Sequence, residues 1–381
     1  MSEILQELSF KKNKDKTIPI YDKYIPFNPK KAEQVLNCGV SLWFHLKEHQ
    51  ITKEQKLKLA EMYTCKDRFC PFCNWRRQLK YSKLVYEYLD ELQSQKNLRY
   101  IFLTLTVPNC HIDDLRATIE HMNKSFQRFH QTKRFKNSIL GYLRVLEYTV
   151  EKKRKDYIHP HFHILLAVEP RYFVDERYIN QKEFLQMWRD ATRNQNITQV
   201  DIRIIKPNKD KNATASAVAE MCKYPLKDTD ISKLTSEQFE KFVLQLKGIR
   251  NINAGGNLKN ILKGTEKMDN DLVHIDDEHN DQLWILLKKL LYEYRNEKGS
   301  TNFYLKEKKE QKMEKEILEK NKEYLKKLYL EWLEYFDTWN LSDYQEDDLV
   351  AFIEDLEKHN DFDEEIKMMK MYLRLAKRDQ S

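Results

Sequence analysis

Three stretches of the chain concentrate β-branched and aromatic residues: FLTLTV (102–107), YLRVLEYTV (142–150) and HFHILLAV (161–168). Each predicts a strand. Between the first two, about Ile112 to Phe135, the text turns helical. Residues 1–30 are irregular, because Pro19, Pro26 and Pro29 break any helix there. From about Lys31 to Tyr88 the chain reads as helix interrupted by a cysteine cluster. Asn212 or Thr214 can cap a helix running through about Lys223. A Gly-bearing segment, KGIRNINAGGNLK (247–259), follows. From 279 onward the pattern predicts a charge-laced helical region, with Trp284, Leu286, Leu287, Leu290 and Leu291 at helical spacing. The fold class expected is therefore α+β, an antiparallel-sheet core with helical regions before and after it. The divisions expected are 1–95, 96–262 and 263–381.

Composition narrows this picture. With 33% charged residues, 12% aromatics and only 7 Gly and 9 Pro in 381 residues, the chain is globular rather than disordered. No apolar run reaches membrane-spanning length, and MSEILQELSFKKNKDK lacks the core of a signal peptide, so a cytoplasmic protein without a membrane partner is expected. The net charge of +7 is uneven. Residues 301–381 hold 15 Lys+Arg against 21 Asp+Glu, a net of −6, and the rest holds 52 against 39, a net of +13. A positive body suits a polyanion such as nucleic acid; a Lys-rich surface inherited from an AT-rich genome accounts for the charge equally well.

Cys65, Cys70 and Cys73 form C-x4-C-x2-C, and Cys38 is the natural fourth member. A tetrahedral Zn²⁺ takes four such soft ligands, and a closed set of thiolates implies a structural ion rather than a catalytic one. The plainer alternative is buried cysteines near one another by chance. Arg68, Arg76, Arg77 and Lys80 surround the knuckle, either touching phosphates or simply solvated.

On a strand, alternate residues share a face, so His161 and His163 project together while Phe162 enters the core. Glu147 lies on the preceding predicted strand, which the loop 151–160 returns antiparallel. A carboxylate beside two imidazoles makes a two-His, one-carboxylate site with open positions for substrate oxygens. His159 has the same parity, and the true ligands could be shifted by two. Further on, Glu220 and Tyr224 share a helical face, one turn apart. A phenol of pKa near 10 is a poor nucleophile unless nearby cations, here Lys223 or Lys227, favour the phenolate. Pro225 disfavours helix at Tyr224 and leaves the aim of Lys227 open. A surface Glu and a half-buried Tyr are the bland reading of the same residues.

Taken in order, FLTLT (102–106), HPHFH (159–163) and E-x3-Y-x2-K (220–227) resemble the three motifs of the rolling-circle replication initiator (Rep) proteins of the HUH endonuclease superfamily. Cys38-Gly39 and CKDRFCPFC (65–73) narrow the resemblance to the Rep proteins of small plasmids from Gram-positive bacteria, over about residues 30–260. The resemblance implies that His161, His163 and Glu147 hold a catalytic Mg²⁺ or Mn²⁺, and that Tyr224 is the nucleophile. A 5′-phosphotyrosine link and a free 3′-OH primer would result. It also implies that Glu220 prepares water for the terminating cleavage. Tyr157 lies too close to the hairpin loop to serve as a second nucleophile. The implied partner is plasmid origin DNA, with its hairpin and single-stranded nick site. A mobilisation relaxase shares the chemistry, and a zinc-dependent DNA-binding regulator without nuclease activity is the reading from another class. The acidic tail places Leu325, Leu328, Trp332 and Phe336 on one stripe, either a core face or a surface for a host helicase or for a second copy in a homodimer.

Overall fold

The computed structural model describes residues 2–49, 54–174, 176–205, 221, 231, 233–263, 269–275, 284–297 and 299–310. Internal contacts divide the chain into two units: 1–41, 62–276 and 294–303 form one, and 42–61, 277–293 and 304–381 the other. The chain mixes helices with antiparallel sheet, as its pattern of strands and amphipathic segments predicts.

The first unit is built on a six-stranded sheet. Its strands are β3 (Arg99–Thr106), β4 (Cys110–His111), β5 (Gly141–Val150), β6 (Tyr157–Val168), β7 (Asp201–Ile204) and β8 (Ile252–Gly256). The order is β7-β3-β6-β5-β8, and β4 pairs with β6 beyond the end of β3. Strand β6 is central, antiparallel to both β3 and β5. Its register sets Glu147 opposite His161, Val145 opposite His163, and Thr104 opposite His163 on the other side. The edge strand β8 is the Gly-bearing segment noted in the sequence. Gly256 has φ +61, and a Cβ there would lie 2.3 Å from the Leu140 carbonyl oxygen, so only glycine lets this edge close on β5.

Both sheet faces are covered. Helix α5 (Leu115–Gln131) places Leu115, Ile119, Met122, Phe126 and Phe129 on one buried stripe. Thr132 ends it and caps the short α6 (Lys133–Ser138) by accepting a hydrogen bond from the Phe135 amide. The α5 stripe meets Phe162, and with it Trp188 of α7 (Gln181–Thr192), whose Nε1 donates to the Thr106 carbonyl at 2.7 Å. On the other face α4 (Pro71–Gln95) lays Tyr81, Val85 and Leu89 over Tyr100, Phe102, Leu143, Val145 and Leu165. Each such buried large side chain contributes roughly 1.5–3 kcal/mol.

Two stretches differ from the expectation. The proline-rich start forms α1 (Ser2–Asp15), α2 (Thr17–Tyr24) and α3 (Pro29–Asn37). Pro19 sits in the first turn of α2, where an amide has no intrahelical acceptor to lose, and Pro29 opens α3 behind an Asn28 cap. The larger correction concerns strands. Residues read as helix become β1 (Ser41–His49), β2 (Gln55–Met62), β9 (Trp284–Glu297) and β10 (Ser300–Glu310), a sheet of order β10-β9-β1-β2. The WILLKKLLYEY run is apolar enough to satisfy either period, and the turn at Gly299 (φ +80) makes it one arm of a hairpin. In the second unit Phe44 meets Tyr292 at 5.8 Å, and the Lys56 ammonium stands 3.6 Å from the Trp284 ring centroid. Helix α8 (Ser236–Gln245), in the first unit, carries a capping box made by Thr235 and Gln238. The tail stripe at Leu325, Leu328, Trp332 and Phe336 lies outside the described residues.

Candidate functional site

Among the described residues of the first unit, two groups of side chains could hold a metal ion. One is built by the β5–β6 register. Glu147, His161 and His163 each offer a ligand atom within 4.8 Å of the others. The Glu147 Oε2 is 3.2 Å from Nε2 of His163 and 3.7 Å from Nε2 of His161. The carboxylate is nearly buried, and burial alone would push its pKa up. Hydrogen bonds and charge from His161 and His163 outweigh burial and hold it near about 2. It is thus an anion at neutral pH, enclosed between two imidazoles.

The imidazoles are oriented from behind. His161 Nδ1 donates to the His159 carbonyl at 3.1 Å, so Nε2 is the nitrogen that faces the cluster. His163 Nδ1 is 3.1 Å from the Thr104 hydroxyl, and its ring stacks on Phe102 at 5.0 Å. Partners of this kind fix which nitrogen faces a metal. Thr104 escaped the reading of the sequence as a site residue. Its signal was the alternation of FLTLT, which puts Thr104 and Thr106 on the histidine face. His159 is turned aside: its Nδ1 lies 2.7 Å from Asn109 Oδ1, and it is no member of the cluster.

The second cluster is Cys38, Cys65, Cys70 and Cys73, again within 4.8 Å of one another. Cys38 follows α3, Cys65 lies in the loop after β2, Cys70 caps α4 and Cys73 is on its first turn. Gly39 (φ +65) allows the approach, since a Cβ there would meet the Phe72 ring at 2.5 Å. Sulfur separations of 3.4 Å (Cys38–Cys73) and 3.7 Å (Cys65–Cys73) are far beyond a disulfide bond. They match the roughly 3.8 Å edge of a tetrahedron with metal–sulfur bonds of about 2.3 Å. The donor set therefore fits a closed thiolate site. Hydrogen bonds from Cys38, Cys65 and Cys70 hold the Cys73 thiol far below its ordinary pKa. The buried Lys14 ammonium donates to the carbonyls of Cys38, at 2.9 Å, and Leu36.

The basic residues of the knuckle are engaged within the fold rather than left to solvent. Arg76 is buried and donates to the carbonyls of Leu272 and Val273. Arg77 binds the carbonyls of Lys66 and Asp67 and pairs with Asp269. Arg68 donates to the Leu246 carbonyl at 2.6 Å and to Asn251, and Lys80 donates to Asp271 O at 2.9 Å. Glu220, Tyr224 and Lys227 lie outside the described residues. Met221, beside Glu220 in sequence, is described: it is buried with Val145 and Leu165, on the sheet face that carries the histidines.

A sheet presenting two histidines and a carboxylate from neighbouring strands, accompanied by a four-thiol cluster, defines an α+β protein with two candidate metal centres. Residues 56–304 match the Rep_1 family of replication proteins, and the chain belongs to that family. It is 42% identical over 177 residues to a "Protein rep" of Staphylococcus aureus, covering 46% of this chain and 75% of that one. It is 34% identical to the "Protein rep" of Lentilactobacillus hilgardii over 68% of this chain and 83% of the relative. The corresponding figures for that of Bacillus amyloliquefaciens are 36%, 67% and 80%. No solved structure matches the chain significantly. The resemblance to plasmid Rep initiators seen in the motifs agrees with this membership. Among the described residues no helix is long and apolar enough to cross a membrane.

Proposed function

We propose that this protein starts rolling-circle replication of a plasmid by nicking one DNA strand at the origin. The observation that carries the reading is the convergence of Glu147, His161 and His163 on neighbouring strands in a chain of the replication-protein family. Glu147, His161 and His163 would hold a Mg²⁺ or Mn²⁺, which when bound polarises the scissile phosphate. The chain's residues supply the rest. Tyr224 attacks phosphorus through its phenolic oxygen, the new O–P bond replaces the P–O3′ bond, and the phenol proton goes to solvent. The departing 3′ oxygen takes up a proton and becomes the primer hydroxyl. Lys227 favours the phenolate and offsets charge on the phosphate. Glu220, one helical turn from Tyr224 by sequence, prepares water for the terminating cleavage. A single tyrosine paired with a carboxylate gives one covalent capture followed by one hydrolysis, as an initiator requires.

The four cysteines would hold a structural Zn²⁺ that ties α3 to α4. The burial of Met221 on the histidine face supports the role given to its neighbours. The test is nicking of a supercoiled origin plasmid with Mn²⁺. His161→Ala and His163→Ala are expected to abolish nicking while duplex origin binding stays near wild type, because phosphate contacts supply most affinity. Undiminished nicking by both variants would remove the histidines from the cleavage centre, and a wild-type protein that binds origin DNA without nicking it would leave a zinc-dependent DNA-binding regulator as the better reading.

A further inference from the structure

The sheet face opposite the histidines carries a second concentration of polar groups. Residues alternate across a strand, so Arg144, three places before Glu147 on β5, projects from the other side. There it lines a cavity of about 420 Å³ with Arg116, Asn123 and Lys124 of α5 and with Arg250 and Asn253 at the approach to and within β8. One acid, Glu120, borders the cavity, its carboxylate 3.8 Å from Arg116. Four cations face a single carboxylate.

Arg144 is the member that needs explaining. It is only 6% exposed, and its guanidinium lies 4.1 Å and 4.6 Å from the ring centroids of Phe162 and Phe126. It donates to Asn123 Oδ1 at 2.8 Å, while its buried Nε has no partner. Among the described residues no carboxylate pairs with it, nor with Lys124 or Arg250 at the exposed mouth. A guanidinium offers five donors, and burying one without an anion is costly. Burial pulls its pKa down to about 10, the direction expected of a cation lacking a counter-charge. A phosphate group would supply that charge and accept from the planar fork in two places.

We propose that this cavity is a phosphate site, in which Arg144 at the floor and Lys124 and Arg250 at the mouth take a phosphate of a polynucleotide strand. The inference rests on the reading of the protein as a DNA-binding initiator. It adds a strand contact on the side of the sheet away from the proposed cleavage centre. Such a contact would keep hold of a strand independently of whether the cleavage site is occupied.

The test reads binding, not cleavage. Full-length protein, without added divalent cation, is titrated against a labelled single-stranded oligonucleotide that lacks the nick site, over a series of salt concentrations. Lys124→Ala/Arg250→Ala removes two exposed cations, and Lys133→Ala/Lys182→Ala removes two exposed cations elsewhere as a matched control. The first pair should weaken binding about tenfold and lower the slope of log K against log salt by about 1.4, since each phosphate contact on a single strand contributes about 0.7. The control should change both far less. Arg144→Met should weaken binding at least as much, with thermal melting used to confirm that it folds. Inorganic phosphate and a mononucleotide form the second arm: if they raise the melting temperature of wild type but not of Lys124→Ala/Arg250→Ala, while oligonucleotide binding is equal, the site stands and a free nucleotide is its source. Equal behaviour of both double variants in both arms would overturn the site. A wild-type protein that binds no DNA at all would instead count against the initiator reading itself.

Discussion

Glu147 stands directly across the β5–β6 ladder from His161, yet its carboxylate comes closer to His163, 3.2 Å against 3.7 Å. The diagonal contact draws both imidazoles and the carboxylate into one cluster, although the three residues lie on two strands. The cluster depends on register, because a one-residue slip of β6 would turn both histidines to the opposite face, where Phe162 meets α5 and α7.

The orienting contact of Thr104 should be measurable. Thr104→Val keeps the shape of the side chain but removes the hydroxyl 3.1 Å from His163 Nδ1. Mn²⁺ affinity measured by calorimetry should fall about tenfold, as is usual for loss of a partner behind a metal ligand. Glu147→Gln, which removes the only carboxylate of the cluster, should cost more. Affinity retained in Glu147→Gln and lost in Thr104→Val would contradict the assignment of ligand and support.

Zinc content gives a second check. Metal analysis should find about one Zn per chain, released only by strong chelation. Cys65→Ser/Cys70→Ser should remove it and lower the melting temperature. Full zinc occupancy in that variant would place the ion elsewhere.

Arg76 should matter for stability rather than for DNA. Its guanidinium is buried on the carbonyls of Leu272 and Val273, so Arg76→Ala should destabilise the fold by about 1–3 kcal/mol through unmade hydrogen bonds. The salt slope of DNA binding should stay as in wild type. A reduced slope with an unchanged melting temperature would mean that Arg76 meets phosphate after all.

His159 sets a pH dependence. Burial, and then the charge of neighbouring His161, push its pKa down to about 4 from the ordinary 6.5. The folded state therefore resists protonation more than the unfolded chain does. The stability this implies is fully present above about pH 6.5 and drains away as pH falls toward 4. Thermal melts of metal-free protein should show His159→Gln losing less stability than wild type over that interval. Parallel pH profiles would refute the idea that folding keeps His159 neutral.

Local patterns in the sequence carried much of this. Alternation in FLTLT, YLRVLEYTV and HFHILLAV yielded three strands of the main sheet, and parity alone grouped His161 with His163. Cys38, distant from the C-x4-C-x2-C run, was reachable because few cysteines compete for the role. What escaped was nonlocal. β9 pairs with β1 across more than two hundred residues, and nothing inside WILLKKLLYEY tells a strand from a helix until that partner is known. The knuckle arginines were misjudged for the same reason: their acceptors are backbone carbonyls at 246, 272 and 273, far along the chain. Thr104 needed the β3–β6 register before its hydroxyl had a purpose.

Covalent capture by Tyr224 is the central proposed step, and mapping of the adduct tests it directly. Wild-type protein is incubated with Mn²⁺ and a single-stranded origin oligonucleotide labelled 3′ of the nick, denatured, and the DNA–protein adduct is mapped by mass spectrometry. A 5′-phosphotyrosine on Tyr224 is expected, absent from Tyr224→Phe, which should still fold and bind origin DNA. Glu220→Ala should still form the adduct but fail to terminate, leaving multimeric single strands. An adduct of normal yield in Tyr224→Phe, or one mapped to Tyr157, would contradict capture by Tyr224.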